Sequence, residues 1–144
     1  MATYILDNKP VNVVSKPWYL GWISEEGSAM TIGGTVYINT IGEVCLLNHE
    51  FTHVRQQRKY SGGMNAWLLK YIANSSFRKS QEFEAYTVQA HEIGIKFGKT
   101  SFQYTDFLRQ LPSTTGYSQS AVNSEMITLW EKYPTSYIVA IQLN

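Results

Sequence analysis

The chain has 144 residues and a formal net charge of +1, from 12 Lys+Arg and 11 Asp+Glu, and 14% of it is aromatic. That length corresponds to a single domain, 1–144, with a self-standing core, and the aromatic content excludes intrinsic disorder. The near-balanced charge gives no electrostatic case for nucleic acid or an anionic membrane as partner, and the lone cysteine, Cys45, excludes a disulfide framework and paired-cysteine zinc sites.

The first ten residues carry no basic stretch followed by an apolar run, and the longest apolar stretch, Tyr137 to Ile141, falls far short of a bilayer span. A soluble, cytoplasmic protein is expected, with a virion-associated location as the alternative. β-Branched and aromatic residues predict short strands at Thr3–Leu6, Val11–Val14 and Trp18–Ile23. Ser28–Ile32 and Thr35–Asn39 flank Gly33-Gly34, a pair suited to the positive φ of a hairpin turn. Thr40-Ile41-Gly42-Glu43 fits a capping box before Val44-Cys45-Leu46-Leu47, so a helix should run to about Tyr60 and stop at Ser61-Gly62-Gly63. Further helices are expected at Met64–Ala73, at Gln81–Phe97 with Ser80 as N-cap, near Tyr104–Leu111, and near Ala121–Tyr133. Pro112–Gly116 reads as a polar loop and Tyr137–Ile141 as a terminal strand. The fold class is α+β: a small antiparallel sheet packed on a bundle led by the first helix.

That helix contains His49-Glu50-Phe51-Thr52-His53, an HExxH sequence. Histidines at this spacing stand about 40° apart on a helix, so both imidazoles reach one metal ion with Glu50 beside it. At about 100° per residue the inward side carries Leu46, Leu47, Glu50, His53, Val54 and Gln57, with His49 at its margin and Cys45 off it. A metal offsets much of the cost of burying those polar groups. Catalytic zinc needs a third protein ligand, and Val54–Lys59 offers no Gly or His at metzincin spacing. The helix at Gln81 supplies Glu82 and Glu84. Glu82 borders its apolar face, whereas Glu84 and His91 point outward, which favours Glu82; for either glutamate the alternative role is a first-turn carboxylate complementing the helix dipole.

His49 to His53, followed by Glu82-Phe83-Glu84-Ala85-Tyr86, resembles the gluzincins, the HExxH peptidases whose third ligand is a glutamate on a later helix. The Glu82 to Ala85 portion is similar to the ExxAD segment of the integral-membrane CAAX prenyl-protease branch, with Tyr86 where that branch has Asp. In size, the chain resembles small HExxH proteins of bacteria and their phages, over about Thr31–Glu92. The resemblance implies a zincin-like fold whose edge strand, here Thr35, Val36, Tyr37, Ile38 and Asn39, accepts an extended peptide or protein substrate by β-augmentation. It implies Zn2+ held by His49, His53 and Glu82, and Glu50 as the general base toward a zinc-bound water. The oxyanion donor is open among Tyr86, Tyr117 and His91.

Six of the 12 basic residues, Arg55, Arg58, Lys59, Lys70, Arg78 and Lys79, cluster in one stretch and read as a solvated helix surface. The aromatic segments Trp18–Trp22 and Phe102–Phe107 read as core. The leading function is a zinc metallopeptidase. Two alternatives stay open: a non-catalytic structural or assembly protein that keeps the metallopeptidase fold, such as a phage virion component within a larger protein assembly, and a zinc hydrolase acting on peptidoglycan cross-links.

Overall fold

Two tight turns set the geometry of the sheet. The structure, a computed structural model, describes residues 2–16, 29–38, 44–136, 138 and 140–143. Strands β1 (Ala2–Leu6) and β2 (Lys9–Ser15) are joined by Asp7 and Asn8, whose φ angles of 53° and 65° give the left-handed pair that a two-residue hairpin turn requires. Gly33 and Gly34, at φ 57° and 81°, play the same part between β3 (Met30–Ile32) and β4 (Thr35–Ile38). With β5 (Ala140–Leu143) these strands form one sheet in the order β3-β4-β2-β1-β5. The expected strand at Trp18–Ile23, the capping box at Thr40–Glu43 and the start of the terminal strand at Tyr137 lie outside the described residues.

The sheet is mixed rather than wholly antiparallel, because β2 pairs with β4 in parallel, Asn12 beside Thr35 through Ser15 beside Ile38. Two-residue turns force antiparallel neighbours, but residues 16–29, which join β2 to β3, leave the next pairing to tertiary packing. In this protein the second strand of the hairpin lies against β2. β4 is therefore interior, paired on both sides, and the outer strand at that end, among the described residues, is β3. This corrects the expectation that Thr35, Val36, Tyr37 and Ile38 form the open edge; Asn39 lies outside the described residues.

Five helices follow: α1 (Val44–Lys59), α2 (Gly63–Ala73), α3 (Ser75–Phe97), α4 (Phe102–Thr115) and α5 (Gln119–Lys132). The chain divides into two compact units, Met1–Leu69 with Ile138–Asn144, and Lys70–Tyr137. In the first, Leu6, Val11, Val13, Val36 and Ile38 are fully buried, and Tyr4 on β1 meets Phe51 on α1 with ring centroids 5.3 Å apart. Arg55 donates two hydrogen bonds to the Asp7 carboxylate, at 2.7 and 2.9 Å, and Arg58 donates to the carbonyls of Leu6 and Pro10. These two cations are straps from α1 to the β1–β2 turn rather than members of a solvated surface.

In the second unit α3 begins six residues earlier than expected. Asn74 is its N-cap, accepting from the Phe77 backbone N–H, while the Ser80 hydroxyl donates to the Phe77 carbonyl from inside the helix. Arg78 reaches back to the carbonyls of Tyr71 and Ile72 at the end of α2, so a single residue separates the two helices. The polar run after Leu111 is the last turn of α4: Ser113, Thr114 and Thr115 donate their hydroxyls to carbonyls of the preceding turn, and Gly116 ends the helix at φ 78°. Tyr104 is buried as expected of its aromatic segment, whereas Phe102, the first residue of α4, is exposed.

Gly94 marks the closest packing in this unit, since a Cβ there would lie 2.5 Å from the Trp130 ring and 3.0 Å from Tyr104. Trp130 donates to the Tyr104 hydroxyl at 2.8 Å, so neither ring can give way alone. Helix propensity favours alanine over glycine by about 1 kcal/mol, whereas overpacking costs about 1–3 kcal/mol, so Gly94→Ala should lower stability on balance, measured by urea unfolding. Asp7→Asn tests the first unit. The Arg55 hydrogen bond holds the Asp7 carboxyl below the ordinary carboxylate range. Its stabilisation is present at neutral pH and lost as pH falls below about 4. Asp7 is half exposed, so the loss should be under about 1 kcal/mol at pH 7 and smaller at pH 3, read from unfolding midpoints at both.

Candidate metal centre

α1 is buried on almost every side: Cys45, Leu47, Asn48, Phe51, Thr52, Val54, Gln56 and Gln57 are all enclosed along with the HExxH residues. This departs from the single inward face that helix angle predicts, and Cys45, expected off that face, is buried. The reason lies in packing within the first unit. Phe51 faces β1, Gln57 and Glu50 face β3, and Trp67 on α2 lies with its ring 5.9 Å from that of His53.

His49, Glu50 and His53 are 5%, 2% and 5% exposed, and each offers one ligand atom such that all three atoms lie within 4.8 Å of one another. The imidazole centroids are 5.0 Å apart with the rings nearly edge to face. Glu50 Oε2 lies 3.9 Å from His49 Nε2, and the Thr31 hydroxyl donates to Glu50 Oε1 across 3.4 Å. A buried carboxylate held, among the described residues, by such long contacts is expensive, and a divalent cation offsets that expense. Two imidazoles and a carboxylate are a donor set that suits zinc and its first-row neighbours. The residues present therefore fit a metal.

Neighbours complete the surroundings. Gln56 Oε1 lies 2.8 Å from His53 Nδ1. Gln57 donates from Nε2 to the Thr31 carbonyl at 3.0 Å, while its Oε1, in a side chain only 1% exposed, has no partner among the described residues. The two-residue turn makes Ile32 and Thr35 the hydrogen-bonded pair, so the carbonyl of Thr31, one position on, points away from β4 to the outer edge, where Gln57 takes it. Gln56 could have been read from the sequence, standing three residues after His53 on the same side of the helix. Thr31 could not, because only the sheet order brings β3 to α1.

The structure brings together His49, Glu50 and His53 in the first unit. Glu82, Glu84, Tyr86, His91 and Tyr117 belong to the second. With α3 starting at Ser75, Glu82 and Glu84 are mid-helix residues and not first-turn carboxylates. Glu82 is half-buried and accepts a 2.5 Å hydrogen bond from the Tyr71 hydroxyl, whereas Glu84 is exposed. Tyr86 is half-buried, and the Tyr117 ring stacks on Phe83 at 4.1 Å. His91, expected to point outward, is fully buried: Nε2 lies 2.6 Å from the Tyr133 carbonyl and the ring packs against Trp130. Around His91, α3 is enclosed by α4 and α5, and exposure returns only at Ile95, Lys96 and Phe97. Burial pushes the His91 pKa below its ordinary value, so at neutral pH it is a neutral packing group.

No family model matches the chain, and comparison with curated proteins and with solved structures finds no match. No helix among the described residues is long and apolar enough to cross a membrane.

A metal that binds only the folded protein stabilises it by mass action, by about 2.7 kcal/mol at a hundredfold excess over its Kd. Zinc or cobalt should therefore raise the thermal unfolding midpoint of the full chain. His49→Ala and His53→Ala should abolish that rise, read by calorimetry with and without chelator.

Proposed function

We propose that this protein is a zinc-dependent peptidase of zincin-like architecture in which Glu50 is the general base. The observation that carries the reading is the convergence of His49, Glu50 and His53 ligand atoms within 4.8 Å on one enclosed helix. His49 and His53 would hold the ion, with Glu50 beside them. Zinc in such a site supplies Lewis acidity toward a water molecule and a scissile carbonyl. Glu50 takes the proton from the attacking water and passes it to the departing amine. Its Thr31 contact keeps one carboxylate oxygen oriented while the other faces His49.

The near-complete burial of all three side chains supports a second reading, in which the ion fastens α1 in a non-catalytic structural or assembly protein. Metal content and cleavage of a mixed peptide library, with peptidoglycan fragments alongside, separate the two. For a peptidase, the wild type carries stoichiometric zinc and cleaves, and Glu50→Gln keeps the zinc while losing about a hundredfold or more in rate. Cleavage that survives Glu50→Gln overturns the proposed base, and bound zinc without cleavage by either protein selects the structural reading.

A further inference from the structure

We infer that Gln56 is the positioning residue for His53, fixing its tautomer so that Nε2 is the nitrogen presented to a metal. The inference rests on the metal-site reading above and assigns a task to a residue outside the HExxH sequence. The His53 ring and the Gln56 carboxamide are both less than a tenth exposed, and Nδ1 and Oε1 are 2.8 Å apart. A carboxamide oxygen can only accept, so Nδ1 carries the proton and donates. A neutral imidazole with its proton on Nδ1 has its lone pair on Nε2. The side-chain pair thus selects one of two tautomers that interchange freely in water.

Local geometry makes the selection durable. Gln56 follows His53 by three residues on a continuous helix, so the two side chains are neighbours by backbone construction and stay so whenever α1 is formed. The Trp67 ring packs beside the imidazole, its centroid 5.9 Å from that of His53 and its plane tilted by 57°. Partners of this kind, which accept from the far nitrogen of a ligating histidine, commonly account for about 10–100-fold in metal affinity.

The test uses the full chain and measures zinc affinity by competition with a chromogenic chelator, together with the absorption spectrum of the cobalt form and circular dichroism of the metal-free protein. Gln56→Met keeps the volume and removes the acceptor; it should weaken zinc binding by about 10–100-fold and alter the cobalt bands. Gln56→Glu keeps an acceptor at the same reach and should bind zinc at least as tightly as the wild type. Equal affinity for wild type and Gln56→Met overturns the assignment while leaving the metal site intact. A tenfold loss in a folded Gln56→Glu also overturns it, because the acceptor is retained there, and this arm stands if Gln56→Met does not fold. If the wild type binds neither zinc nor cobalt, the metal site itself fails and the role of Gln56 with it.

Discussion

A helix enclosed on nearly all sides must find partners within the protein for most of the polar groups it carries, and α1 carries His49, Glu50, His53, Gln56 and Gln57 inside the first unit, with Gln57 Oε1 left without one among the described residues. That requirement organises its surroundings. The hairpin turn at Gly33-Gly34 sets the register that points the Thr31 carbonyl outward, and Gln57 closes on it. The Thr31 hydroxyl faces Glu50 from the same strand, and Gln56 Oε1 lies within hydrogen-bond distance of His53 Nδ1. Leaving any one of these groups without a partner in a low-dielectric interior costs about 1–3 kcal/mol, more for the carboxylate. The site and the placement of β3 are thus parts of one hydrogen-bonded arrangement.

Apolar packing supplies the rest of that unit. Fully buried residues of β1, β2 and β4 lie beneath α1, and the bidentate Arg55–Asp7 pair with the two Arg58 bonds ties the basic end of the helix to the β1–β2 turn. Asp7 serves twice, tolerating positive φ in the turn as Asn8 does and accepting the Arg55 hydrogen bonds from the helix. The second unit is built on helix contact alone, closest at Gly94. There His91 Nε2 is paired with the Tyr133 carbonyl and Glu92 with the Ser136 hydroxyl, while His91 Nδ1 has no hydrogen-bond partner among the described residues.

Local chemistry made much of this legible. Both hairpin turns depend on residues that accept positive φ, and Ser101 and Ser118 cap their helices as short hydroxyl side chains do. The HExxH spacing places two imidazoles and a carboxylate together on any helix. Where the reading failed, bonds it had not anticipated or burial by neighbouring elements had decided the outcome. Ser80 resembles a cap, but Arg78 bonding to the end of α2 lets α3 begin at Asn74. Pro112 resembles a loop residue, but hydroxyl bonds to the preceding turn carry α4 through it. Helix angle sent His91 and Cys45 outward, and neighbouring elements enclosed both.

The sequence by itself determined the α+β composition, the Gly33-Gly34 turn and the His49-Glu50-His53 constellation, because each depends on torsional preference or spacing within a few residues. Only the tertiary structure decided that, among the described residues, β4 is interior and β3 outermost, that Thr31 and Gln57 meet, and that α1 is enclosed on nearly all sides. Those outcomes depend on which strand of a hairpin docks beside β2 and on how many elements close around one helix. Neither choice leaves a trace in local periodicity, since the same alternating pattern satisfies a parallel or an antiparallel neighbour equally well.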